Sequence, residues 1–340
     1  MKILVTGGTG FTGSHLVRRL LQKGHSVRVV DVQRGLFFDE LQRLGAEIFI
    51  GSITERELVR RAMKGCQVVH HVAAMFRKVN LPKKAYWEVN VEGTRALLEA
   101  ALHCGVEKFV YCSTCGVHGD VKLKVADENS PVVPEDYYQY TKYEGERAAA
   151  EFVKKGLQVV TLRPTAIYGP GDPERFLMLF KMVASGRFLM FGNGNIHYHP
   201  VYIDNLIDAF ELAAQSDKGS GEAYLVGDEK PHTLNQLVLS IAEALGVDLA
   251  VRHYPFWPLW VAAVACEVIY KPLPKEPPLF RRRVDWFRQN RAFSIEKAKR
   301  ELGYQPKVDL KEGLANTADW YRANGYLPGR MPLIHKDSAA

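Results

Sequence analysis

No stretch of the 340 residues stays apolar and uncharged for long enough to cross a bilayer. The nearest approach, Phe256 to Tyr270, is short and carries Glu267. No signal peptide is expected, because an apolar strand already begins at residue 3. Cysteine is scarce. Five residues, odd in number and scattered, argue against a disulfide framework and for a reduced, cytoplasmic protein. Cys112 and Cys115 form a C-x-x-C, yet no second pair or suitably spaced histidines accompany them, so no metal site is expected. Repeats and low-complexity tracts are missing. The net charge of +7 is modest, and the cluster Arg281-Arg282-Arg283 lacks the interleaved aromatics of a nucleic-acid surface. It reads as a solvated face.

What is present is an ordinary globular balance, 47% hydrophobic and 24% charged, sufficient for one large α/β unit or two intimate lobes. The most informative stretch is Lys2-Ile3-Leu4-Val5-Thr6-Gly7-Gly8-Thr9-Gly10-Phe11-Thr12-Gly13. An apolar run meets three regularly spaced glycines, and a helical pattern follows with Leu16, Val17, Leu20 and Leu21 on one face. This order makes a phosphate cradle. Gly7 permits a tight turn, Gly10 permits close approach of a pyrophosphate, and Gly13 lets helix and strand pack closely. Free amides at the helix start, around Phe11 and Thr12, then hold the anion. Asp31 ends the next apolar strand, Val27 to Val30, where a carboxylate would accept both ribose hydroxyls of a dinucleotide. Its charge would repel a 2′-phosphate, which favours NAD over NADP; Arg34 is the counter-argument, since a guanidinium can pair with that phosphate.

Apolar strands and amphipathic helices alternate as far as Arg163, which predicts a doubly wound parallel sheet of the Rossmann type over residues 1–163. A single long helix is expected near Tyr86 to His103. Beyond Arg163-Pro164 the alternation breaks, and a smaller substrate-binding lobe is expected over 164–330, with 200–216 packing back onto the sheet and a loose tail over 331–340. On a helix predicted from Tyr138, Lys142 shares a face with that tyrosine. A lysine ammonium stabilises a neighbouring phenolate, so the pair can exchange a proton with a substrate hydroxyl near neutral pH. Ser113 and Thr114, at the end of the preceding strand, offer hydroxyls to the same oxygen, or serve only as turn and capping groups.

These residues, in this order, resemble the extended short-chain dehydrogenases/reductases, the NAD-dependent epimerase/dehydratase family. The resemblance runs through His71-Val72-Ala73-Ala74, Asn90-Val91-Glu92-Gly93-Thr94, Tyr138 with Lys142 and Glu146, Arg163 to Pro170, and Val201 to Asn205. It implies Thr114, Tyr138 and Lys142 as the catalytic set. It implies cofactor contacts from Ser52 and Ile53, from Ala73 and Ala74, from Asn90 and Ser113, and from the segment Pro164 to Ile167. Asp is usual where this chain has Ser52. A homodimer is implied, paired through the helices near 86–103 and 138–154.

The departures discriminate among the family's reactions. Dehydratases carry Asp-Glu after the active threonine, whereas Cys115 and Gly116 stand here and neither replaces a carboxyl acid/base. Nucleotide-sugar epimerases usually contact the substrate with Asn at the position of Ala166 and Arg at that of Tyr198. Losing a charge-assisted phosphate contact costs about 1.5–3 kcal/mol. The second half more nearly resembles the 3β-hydroxysteroid and sterol-4-carboxylate 3-dehydrogenases and related β-keto-acid reductases. The expectation is therefore NAD-dependent hydride transfer at a secondary alcohol or ketone of a small molecule, with a nucleotide-sugar 4-epimerase as the alternative. The apolar segment 256–271 suits a lipid-like substrate, a membrane-surface contact, or ordinary packing and subunit contact.

Overall fold

The computed structural model describes residues 1–76, 81–122, 124–172, 175–271 and 277–328; the expected tail at 331–340 lies outside them. The first half alternates as the sequence predicts: β1 (Lys2–Thr6), α1 (Phe11–Gln22), β2 (Ser26–Asp31), α2 (Phe38–Arg43), β3 (Glu47–Ile50), α3 (Arg56–Met63) and β4 (Val68–His71). Then follow α4 (Lys83–Trp87), α5 (Thr94–His103), β5 (Lys108–Cys112), α6 (Tyr137–Val153) and β6 (Val159–Pro164). The second half supplies β7 (Ala166–Tyr168), α7 (Arg175–Ala184), β8 (Arg187–Phe191), β9 (His197–Tyr198), β10 (Pro200–Tyr202), α8 (Ile203–Gln215) and β11 (Ala223–Val226). It ends with β12 (His232–Thr233), α9 (Leu234–Leu245), β13 (Ala250–Tyr254), α10 (Phe256–Tyr270), α11 (Arg281–Val284), α12 (Glu296–Leu302) and α13 (Leu310–Ala323).

Seven strands form one parallel sheet in the order β11-β6-β5-β4-β1-β2-β3. Strand order reverses between β1 and β4, and such a switch point opens a crevice at the carboxyl ends. Side chains alternate across the sheet. Ile3 and Val5 join the core beneath α1 and α8, with Leu16, Val17, Leu206 and Phe210. Leu4, Val69 and Phe109 join the opposite core beneath α3, α5 and α6, with Val59, Leu97 and Phe152. Each such side chain contributes about 1.5–3 kcal/mol by burial.

Two features depart from the sequence reading. The stretch expected as one helix over 86–103 is α4, a π-helical turn over Glu88–Gly93, and α5. The turn widens where buried Asn90 reaches out of the helix to bond neighbouring segments. The seventh strand, β11, lies in the irregular second half, where no strand is evident from periodicity; at four residues it shows too little pattern to read. It pairs with β6 in parallel register, Leu225 opposite Arg163. The helix α8 packs against α1, where Arg19 bonds Asp208 at 2.8 Å and Glu211 at 3.3 Å.

Candidate active site

Every loop singled out by the sequence emerges at the carboxyl edge of the sheet. After β1 the chain turns at Gly7, whose φ of +69° favours glycine, and a Cβ there would stand 2.8 Å from the Ala73 backbone. A Cβ on Gly13 would sit 2.1 Å from the Gly7 carbonyl, so α1 meets the loop closely because that position has no side chain. Gly10 is different: a Cβ there would meet only the Gly7 oxygen at 3.4 Å, leaving open space beside the helix start. The first intrahelical bond runs from Ser14 N–H to Gly10 at 2.9 Å, so the amides of Phe11, Thr12 and Gly13 precede it. Gly10 provides no side-chain cap. This is a cradle with the polarity for an anion.

Asp31 is buried at the end of β2. Its Oδ2 accepts from the Thr9 amide at 3.0 Å and from the Thr9 hydroxyl at 2.8 Å. The carboxylate thus pins the glycine loop, a role invisible in the spacing that singled it out. Arg34 stacks its guanidinium 4.8 Å from the centre of the Phe38 ring. Beyond β3, the Ser52 hydroxyl bonds Thr54 at 2.8 Å and its amide donates to Glu55 at 2.7 Å. Ile53 is buried against Gly93, where a Cβ would come within 2.8 Å of it.

Ala73 and Ala74 form the loop after β4, and the Ala73 amide donates to Thr6 Oγ1 at 3.2 Å. Asn90 holds that loop. Its Oδ1 accepts from the Met75 amide at 2.7 Å, while its Nδ2 donates to the Met75 carbonyl at 3.2 Å and to Thr141 at 3.0 Å. The π turn therefore ties the loop to α6.

Helix α6 starts where it does because Asp136 and Gln139 make a capping box: Asp136 accepts from the Gln139 amide at 2.8 Å, and Gln139 Oε1 accepts from the Asp136 amide at 3.2 Å. Tyr138 consequently lies in the first turn, buried, with Phe76 edge-on at 5.1 Å. One turn on, Lys142 is 1% exposed, and its Nζ has no hydrogen-bond partner among the described residues. It stands 4.3 Å above the Tyr111 ring. Burial pushes its pKa down from 10.5 to about 8. Tyr111 anchors the helix as well, donating to the Lys142 carbonyl at 3.1 Å. A Cβ at Gly145 would fall 2.2 Å from that phenol oxygen, so glycine is required for the approach.

Thr114 follows β5 and caps the short 3-10 turn over Cys115–His118, its oxygen accepting from the Gly116 amide at 3.1 Å. That bond occupies a lone pair and leaves the hydroxyl proton to donate. Gly116 in turn lies against Gln139, which brings the Thr114 turn beside the start of α6. Ser113 instead points into a buried network. Its hydroxyl donates to Glu146 at 2.5 Å, and Arg163 donates to both Glu146 oxygens at 2.6 and 3.0 Å. Arg163 also donates to His118 Nε2 at 3.1 Å, which assigns the His118 proton to Nδ1 and its bond to Pro131. Burial and the Arg163 charge hold His118 below its ordinary pKa. The network locks β5, α6 and β6 together. Tyr111 and His118 were not singled out from sequence, and Arg163 only as the start of a matched motif; neither strand nor turn residues carry a local sign of a partner many residues away.

Pro164 ends β6, and Ala166 and Ile167 begin β7, with Ala166 donating its amide to His199 at 3.0 Å. Thr165, between them, is buried, and its hydroxyl has no hydrogen-bond partner among the described residues. Tyr198 is buried among aromatics, 6.4 Å from Phe176 and 5.9 Å from Trp286. Cys112 is buried, and burial raises its thiol to about 11. The open cradle at Gly10, the carboxylate at Asp31 and the unpartnered ammonium of Lys142 line one edge, and this set fits a dinucleotide.

Comparison with known proteins agrees. Residues 3–227 match the family described as the NAD dependent epimerase/dehydratase family. The mouse (Mus musculus) sterol-4-alpha-carboxylate 3-dehydrogenase, decarboxylating, is 30% identical over 330 residues, covering 93% of this chain and 90% of that protein. The 2-alkyl-3-oxoalkanoate reductase of Stenotrophomonas maltophilia is 31% identical over 326 residues, covering 92% and 97%. Among solved structures, the UDP-glucose 4-epimerase of Thermotoga maritima superposes with a TM-score of 0.78 at 29% identity, covering 95% of this chain and 99% of that one. The dTDP-glucose 4,6-dehydratase DesIV of Streptomyces venezuelae, solved with NAD, gives 0.77 at 27%, covering 96% and 99%. With sequence, fold and site geometry in agreement, the chain belongs to the NAD dependent epimerase/dehydratase family and is one of its NAD-using enzymes.

Proposed function

We propose that this protein catalyses reversible hydride transfer at a secondary alcohol or ketone. The observation that carries the reading is Lys142, a buried ammonium without a hydrogen-bond partner among the described residues, one helical turn from Tyr138. A structural lysine would be paired or exposed, whereas an unpaired one suits acceptors brought by a ligand. When bound, NAD supplies the acceptor or donor of the hydride. The amides of Phe11, Thr12 and Gly13 would hold its phosphates, and the Asp31 carboxylate would accept from its ribose hydroxyls. The loop at Ala73 and Ala74, fixed by Asn90, the segment Pro164 to Ile167, and Ser52 and Ile53 would supply the remaining contacts.

Tyr138 takes the proton from the substrate hydroxyl in oxidation and returns it in reduction. The Lys142 ammonium stabilises the phenolate, and burial strengthens that attraction. Thr114, its proton free to donate, orients the substrate oxygen. Ala166 and Tyr198 border the substrate. Tyr138→Phe is the test. It should bind NAD as the wild type does and lose turnover by about a hundredfold or more, the range for removing a general acid/base. Near-normal NADH production by that variant refutes the assignment.

A nucleotide-sugar 4-epimerase is the second reading, favoured by the likeness to the Thermotoga maritima enzyme. Against it, Ala166 has no polar group to offer a diphosphate, and Tyr198 packs among Phe176 and Trp286. Epimer formation without net NADH would select it.

A further inference from the structure

The helix α10, Phe256–Tyr270, is apolar nearly throughout, yet only Ala263 in it is buried. Its outward stripe is Trp257, Trp260, Val261 and Val268, exposed residues that helical spacing puts on one face with half-buried Val264 between them. Trp257 is 69% exposed and Val268 67%. The helix's one acid, Glu267, is sealed by Arg281, which donates through its amide at 2.8 Å and its guanidinium at 2.7 Å. The stripe is therefore free of charge.

Cations flank it. The sequence from Arg252 to Arg291 holds eight Lys/Arg against three Asp/Glu, a large share of the chain's net +7. Arg252, Lys271, Arg282 and Arg283 are exposed there, beside the Arg281 that pairs with Glu267. Fifteen residues span about 22 Å, short of the roughly 30 Å hydrocarbon core. Too short to cross, the helix can lie in the interface with its exposed side.

We infer that α10 and the arginine segment after it dock the enzyme on the surface of an anionic phospholipid bilayer. The apolar stripe enters the headgroup boundary, with Trp257 and Trp260 at the level suited to indole rings, and the flanking cations face lipid phosphates. A protein partner could cover the stripe, but it would not explain the surplus of cations. Arg282 also lies 3.7 Å from Asp136, the cap of α6, so the docked surface adjoins the catalytic helix.

The purified full chain should be sedimented with vesicles of phosphatidylcholine alone and with added phosphatidylglycerol, at low and high salt. Binding should be about tenfold or more tighter to the anionic vesicles, weaken with salt, and blue-shift tryptophan emission. Val261→Glu with Val268→Glu should abolish it, whereas Lys271→Ala and Arg283→Ala should each weaken it about fivefold, the effect of removing one cation near the surface. Circular dichroism checks that the variants fold. The inference is overturned by absence of vesicle binding in the wild type, or by equal, salt-insensitive binding to neutral vesicles. It is also overturned if the paired glutamates dissolve a dimer and leave vesicle binding unchanged. The readout needs neither substrate nor turnover, so it stands apart from the hydride-transfer reading.

Discussion

Replacing Lys142 with methionine should strengthen the cofactor-free protein while ending its turnover. Methionine fills nearly the same channel above Tyr111 and needs no hydrogen bond. The wild-type ammonium is buried without one, and its pKa falls from 10.5 to about 8. At about 1.4 kcal/mol per unit, holding the charged form in the fold costs about 3 kcal/mol at neutral pH. The lost attraction to the Tyr111 ring offsets roughly 0.5–2 kcal/mol of that. A net gain of about 1–3 kcal/mol should appear in urea unfolding without NAD.

The pH dependence identifies the cause. The folded-state value lies below the unfolded one, so the native state gives up its proton first as pH rises. The penalty is complete below about pH 8 and fades between there and 10.5, so wild-type stability should climb toward the variant's across that window. Added NAD should stabilise the wild type more than the variant, because the ammonium then gains acceptors. A variant less stable than the wild type at neutral pH, without NAD, would show that the fold already satisfies the ammonium and would refute the reasoning.

Three further substitutions probe the supporting structure. Gly13→Ala drives a methyl to 2.1 Å from the Gly7 carbonyl; it should cost about 3 kcal/mol in denaturant unfolding and weaken NAD binding measured by calorimetry. Arg163→Met leaves the Glu146 carboxylate buried and uncompensated, and thermal unfolding should report a loss of about 3–5 kcal/mol. Asp228 is raised from 3.8 to about 7, chiefly by burial, so its contribution to stability falls as pH rises from the unfolded to the folded value; Asp228→Asn should flatten that part of the melting-temperature profile, and an unchanged slope would sink the assignment.

Much of the site was legible because its signals are local. The glycines after β1 announce themselves, since backbone turn and close approach constrain the residues that make them. Tyr138 and Lys142 are visible as a pair because helical spacing sets them on one face. Partners distant in the chain were not legible. Nothing near Ser113 announces that its hydroxyl ends on Glu146, nor near Arg163 that it bridges α6 and His118. The Asn90 tie to Met75 and Thr141 depends on a π turn that periodicity reads as ordinary helix. The strand β11 was hidden too, because its apolar run is as short as many loops.

The amino-acid order alone thus determined the alternating sheet, the glycine turn into α1 and the shared helical face of Tyr138 and Lys142, since each follows from backbone conformation and periodic burial within one or two adjacent elements. Tertiary structure alone decided the electrostatic state of that pair and the exposure of α10. Whether an ammonium is stranded, or an apolar helix left uncovered, depends on what distant segments bring alongside. Burial and pairing are properties of the assembled neighbourhood, and residue spacing carries no measure of them.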